Sequence, residues 1–157
     1  MNTPKDTPEQ IARRVEMRFA EREIEEESQA NDKPIRVYVA GAYSADNVMD
    51  VLRNIGRGEK LAAETFKAGF PTFCPWHDKS YVMEYPDADF TAQQFKNHSM
   101  AWLEVSNAVL LVPGWENSSG TRAELDRARE LGIPFFHTLT DLIFYRDSRC
   151  RKETQAA

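Results

Sequence analysis

From residue 35 onward, short apolar runs alternate with longer segments whose apolar residues fall on one helical face. Residues 35–40 (IRVYVA) are β-branched and apolar, which predicts a buried strand. A helix follows from about Asn47, with Val48, Val51, Leu52, Ile55, Ala62 and Phe66 along one side, and Gly69-Phe70-Pro71 closes it. Residues 72–74 predict a second short strand, residues 75–90 a loop, and residues 91–105 another helix. The run Ala108-Val109-Leu110-Leu111-Val112 predicts a third strand, residues 113–119 a loop, and a helix opens at Gly120 or Thr121 and ends at Gly132. Residues 133–137 predict a fourth strand and residues 141–147 a last helix. Strands and helices alternating through short connections predict an α/β domain, a parallel sheet of four to five strands with helices on both faces.

Residues 1–34 follow a different pattern. Thr7-Pro8-Glu9-Gln10 combines a capping threonine, a proline at the first helical position and a glutamine that completes a capping box. Ile11, Val15 and Phe19 then recur every four residues, so residues 8–28 predict a charged helix with one narrow apolar stripe. Asn31-Asp32-Lys33-Pro34 ends it with turn chemistry. The chain thus divides into a charged helical extension (1–34), an α/β domain (35–147) and a polar tail (148–157).

Charge sharpens that division. The 157 residues carry a formal net charge of −5. Six basic against nine acidic residues give the extension −3, and 14 against 16 leave the remainder at −2. Such a chain is a poor partner for a nucleic-acid polymer or a membrane surface. Two cysteines and three scattered histidines supply neither a disulfide framework nor a metal-ligand spacing, so no metal and no cofactor is expected. No apolar stretch of membrane-spanning length and no leader-like apolar segment occurs, and a cytoplasmic protein is expected.

In parallel sheets ligands bind beyond the carboxyl ends of the strands, where strand order reverses. That directs attention to residues 41–47 and 113–121. The second loop, Pro113-Gly114-Trp115-Glu116-Asn117-Ser118-Ser119-Gly120-Thr121, places hydroxyls and a glycine at a helix start, where free amides and the helix dipole favour an anion. Ser118, Ser119 and Thr121 are candidate donors to a phosphate. No lysine follows the glycine, which excludes a triphosphate P-loop. Glu124 has two readings from spacing alone. Thr121-Arg122-Ala123-Glu124 matches a capping box in which Glu124 binds the Thr121 amide, and the alternative turns its carboxylate into the cleft.

Three segments carry a resemblance: Val37-Tyr38-Val39-Ala40-Gly41-Ala42-Tyr43-Ser44, residues 99–108 (SMAWLEVSNA), and Pro113-Gly114-Trp115-Glu116-Asn117-Ser118-Ser119-Gly120 with Glu124. Over about residues 35–140 the chain resembles the nucleoside 2-deoxyribosyltransferase-like superfamily, in particular the branch similar to 2′-deoxynucleoside 5′-phosphate N-hydrolases. The resemblance implies a Rossmann-like (flavodoxin-like) domain that splits an N-glycosidic bond, with Glu124 as nucleophile at C1′ of the sugar. A carboxylate suits an oxocarbenium-like transition state, and the departing base needs a proton from a second acid.

Gly41, Tyr43, Ser44, Ser118 and Gly120 match sugar- and phosphate-binding positions. Better-known members carry an aspartate where this chain has Ser99, which leaves the acid open. Asp78, in Pro75-Trp76-His77-Asp78, is the preferred substitute, with Asp87, Asp89 and His98 as rivals. Trp76, Tyr81 and Tyr85 are candidates to stack on a base. The expected activity is hydrolysis of a (deoxy)nucleoside 5′-monophosphate to base and sugar phosphate. The alternatives are base exchange between deoxynucleosides and non-catalytic nucleotide binding. A homodimer or higher homo-oligomer is the expected assembly, with a nucleotide or nucleoside as the small-molecule partner.

Overall fold

The computed structural model describes residues 7, 13, 14, 16–18 and 34–154, the last five as backbone only. The chain divides into two units, Met1–Lys33 and Pro34–Ala157. In the first unit, residues 13, 14 and 16–18 are helical, inside the expected helix. The stripe residues Ile11, Val15 and Phe19 lie outside the described residues.

The second unit is a four-stranded, fully parallel sheet: β1 (Val37–Ala40), β2 (Thr72–Phe73), β3 (Ala108–Leu111) and β4 (Phe135–Phe136), in the order β2-β1-β3-β4. Register runs from Val37 opposite Thr72 and Ala108 to Ala40 opposite Leu111. Five helices accompany the strands: α1 (Val48–Lys67), α2 (Lys79–Glu84), α3 (Ala92–Glu104), α4 (Ser119–Glu130) and α5 (Leu139–Thr154). This is the α/β parallel sheet expected from the alternating pattern, and it is Rossmann-like as the resemblance implies. Among the described residues no helix is long and apolar enough to cross a membrane.

Strand side chains alternate between the two faces, and the two central strands are buried throughout. Tyr38, Ala40, Val109 and Leu111 meet Leu103 of α3 and Leu125 and Ala128 of α4. On the other face, Val37, Ala108 and Leu110 meet Phe70 and Leu142 of α5, while Val39 packs with Ile55 and Ala62 of α1 and with Cys74, Trp76 and Val112. The consequence for function is that Tyr38 points into the α3/α4 layer.

Two expectations need correction. Residues 75–90 are not simply a loop. Pro75, with its φ already set for a helical start, opens a 3-10 turn at Pro75–Asp78, and α2 follows directly. Lys79 forms an ion pair with Glu59, which ties this segment to α1. The last helix is also longer than 141–147. Thr138 Oγ1 accepts from the Asp141 amide at its start, and the helix continues to Thr154, so residues 148–154 are helical rather than a tail. Arg146 fastens α5 to the end of α1 and the connection after it, donating to the Ala68 carbonyl at 2.9 Å and lying over the Phe70 ring.

Candidate active site

The chain leaves β1 for β2 on one side of it and returns to place β3 on the other side. The crevice between the carboxyl ends of β1 and β3 is therefore the switch point of the sheet, and residues 41–47 and 112–118 form its rim. Asn54 of α1 donates to the carbonyls of Tyr43 and Ser44, both at 3.4 Å, and so holds the first rim loop from below. Gly114, with φ of +89°, turns the second loop in a conformation that other residues rarely adopt. Ser118 then caps α4, its Oγ accepting from the Thr121 amide at 3.2 Å.

That cap decides between the two readings of Glu124. The Thr121 amide is engaged by Ser118, and the Glu124 carboxylate instead accepts from the Tyr38 hydroxyl, Oη to Oε1 at 2.6 Å. Burial pushes the Glu124 carboxyl up to about 7, and the Tyr38 hydrogen bond pulls in the opposite direction. Tyr38 itself is held well above its ordinary value by burial and by the Glu124 charge.

Tyr38 gathers two more groups. The Ser99 hydroxyl acts on it to favour the phenolate, and the charge of Asp78 acts in the opposite direction. Ser99 is buried on α3, and Asp78 sits at the end of the 3-10 turn, almost buried. Burial raises the Asp78 carboxyl, while the neighbouring His98 and His77 offset part of that shift. His98 Nε2 lies 3.9 Å from Asp78 Oδ1. Glu124 is hydrogen-bonded to Tyr38, Asp78 faces His98, and Ser99 and Asp78 act on Tyr38, so these five residues form one electrostatically coupled polar group drawn from four elements of the fold. Asp87 and Asp89 stand apart from it, exposed to solvent.

Residues 35–137 match the family described as Domain of unknown function (DUF4406). The chain belongs to this family. The DUF4406 match begins just before β1 and ends just after β4, so every residue of the polar group falls inside it. No curated protein matches the chain.

Within this DUF4406 domain the remaining candidates separate into rim and core. Tyr43 and Ser44 are exposed on the first rim loop, and Ser118 and Gly120 lie at the start of α4. A methyl group at Gly120 would meet only Ser118 Oγ, at 3.7 Å, so packing does not require glycine there. Gly41 differs. A methyl group there would come within 2.7 Å of Val112 Cβ and 3.3 Å of the Trp76 ring, so close packing demands the glycine.

Trp76 does not belong to a binding surface. It is 1 % exposed in the core under α1, and a methyl group at Gly58 would come within 2.4 Å of its ring. A ring enclosed in this way offers no face to a base. Thr121 is corrected for the same reason. At 1 % exposure its hydroxyl is buried, which leaves Ser118 and Ser119 as the hydroxyls at the helix start that a ligand can reach.

Sequence reasoning missed Tyr38 as a functional group and treated it as one position of a buried strand. The available signal was its phenol in an otherwise aliphatic run, because a buried hydroxyl requires a partner. The gathering of the stacking candidate Tyr81 with Phe73 and Trp102 around His98 was missed as well: Phe73, Tyr81 and Trp102 lie 5.8, 6.0 and 6.4 Å from its ring. Among the described residues, no group of three or more His, Cys, Asp or Glu is arranged to hold a metal ion.

Proposed function

We propose that the protein hydrolyses the N-glycosidic bond of a (deoxy)nucleoside 5′-monophosphate to free base and sugar 5-phosphate. The observation that carries this reading is the Glu124 carboxylate, free of its helix-capping role and aimed by the Tyr38 hydroxyl beside the β1/β3 crevice. The resemblance to the nucleoside 2-deoxyribosyltransferase-like superfamily, and to its 2′-deoxynucleoside 5′-phosphate N-hydrolases, points to the same chemistry.

In this reading Glu124 attacks C1′, the bond from C1′ to the base nitrogen breaks, and the base leaves with that electron pair and a proton. Water then displaces Glu124 from C1′. Desolvation raises the energy of the free carboxylate and so favours its pairing with the positive charge developing at C1′. The Tyr38 hydrogen bond fixes which carboxylate oxygen remains available. Ser118, Ser119 and the first free amides of α4 supply an anion site for the 5′-phosphate, with room at Gly120 for close approach.

Incubation with a panel of nucleosides and their 5′-monophosphates, followed by chromatography for free base, tests the proposal. Release from monophosphates in preference to nucleosides supports it. Absence of release from every member of the panel refutes it, and capture of the sugar by an added second base would convert the assignment to base exchange.

A further inference from the structure

The departing base must gain a proton, and the group nearest the sequence-based expectation, Asp78, is poorly placed to deliver one. Its side chain is 11 % exposed, whereas that of His98 is 36 % exposed. His98 stands one residue before Ser99 on α3 and is therefore rotated about 100° around the helix axis from it. While Ser99 is buried, the His98 ring lies among Phe73, Tyr81 and Trp102, edge-on to the last two. Tyr81 and Trp102 are each about half exposed. The Phe73 ring stacks on Tyr38 at 5.5 Å, so the imidazole is separated from the residue that holds Glu124 by a single ring.

We infer that His98 is the catalytic acid, donating its proton to the base as the C1′–N bond breaks, and that Asp78 is a positioning residue behind it. This rests on the N-glycosidase reading above. The imidazolium gives one proton to the leaving base and becomes neutral, and the neutral ring takes one proton from the water that displaces Glu124. The net reaction is nucleotide plus water to base plus sugar phosphate, with the protein unchanged. Asp78, 3.9 Å from His98 Nε2, stabilises the imidazolium, and His77 and Tyr38 are further ionisable groups coupled to Asp78.

The test compares two substrates in the full-length protein: a purine deoxynucleoside 5′-monophosphate and its N7-methylated form, whose base departs without being protonated. In a single turnover with protein in excess, which reads base departure and not the later attack of water, H98Q is expected to slow base release from the unmethylated nucleotide by about 100-fold or more and to leave the N7-methylated one within about threefold of wild type. D78N is expected to slow base release from the unmethylated nucleotide several-fold more than from the N7-methylated one. Equal losses on both substrates, or no loss in H98Q, overturn the assignment of His98 while leaving the glycosidase reading intact. If wild-type protein releases base from neither substrate, the glycosidase reading fails and this inference fails with it.

Discussion

Tyr38 Oη donates to Glu124 Oε1 at 2.6 Å, joining the central strand of the sheet to the helix that follows the β3 loop. The bond spans 86 residues of sequence. It has two consequences, one for the carboxylate's orientation and one for its proton affinity. Replacing Tyr38 with phenylalanine keeps the ring stacked on Phe73 but removes the donor. Base release by Y38F is expected to fall by about 10- to 100-fold, the range of one hydrogen bond to a charged group. The Tyr38 bond lowers the Glu124 carboxyl, which burial has raised to about 7. The acid limb of kcat/KM, centred near 7 in wild type, should therefore move to higher pH in Y38F. A pH–rate profile of both proteins checks this.

Stability should also depend on Glu124. A carboxyl at about 7 in the folded chain against 4.5 when unfolded binds its proton more tightly in the fold. Its contribution is fully present below about 4.5 and is lost as pH rises through 7, by about 1–3 kcal/mol. E124Q keeps the shape and the Tyr38 partner but carries no charge. Urea denaturation should show E124Q more stable than wild type by about that amount at pH 9 and nearly equal to it at pH 4.

The two glycines of the rim should respond differently to alanine. At Gly41 the new methyl collides with Val112, so G41A is expected to lose about 1–3 kcal/mol of stability. At Gly120 the same change meets only an ordinary contact. G120A should hold its stability within about 0.5 kcal/mol and raise KM for the monophosphate several-fold. Denaturation curves paired with KM measurements distinguish the two positions.

Ser118 combines a structural role with the proposed phosphate contact. S118A removes the hydroxyl that receives the Thr121 amide and should cost about 1 kcal/mol through the lost cap. S118D restores a capping acceptor but sets a negative charge at the phosphate site. Stability should return in S118D while KM for monophosphates rises further than in S118A. Denaturation and KM measurements on both variants check this.

The sheet was legible in the sequence because its two central strands are buried on both faces and read as continuous apolar runs. The order of elements from 35–40 to 133–137 follows that pattern. Periodicity does not register what Trp76 and Gly58 do together: an aromatic next to a candidate acid looks like a stacking platform until a glycine ten residues into α1 is seen to make room for it. Glu124 was legible as a choice between cap and cleft, and Ser118, two residues before the earliest expected helix start, decided it. Tyr38, Ser99, Asp78 and His98 are 61 residues apart at their extremes, and only the folding of β1 against α3 and the 3-10 turn brings them together. No local motif encodes that meeting.

The most direct test of the central claim is the rate of base release from a deoxynucleoside 5′-monophosphate by wild-type protein and by E124A, measured side by side with the folded state of each verified. The account predicts clear release by wild type and a loss of at least about 1,000-fold in E124A, the scale of removing a catalytic nucleophile. Equal rates in the two proteins, or no release by wild type, would contradict it.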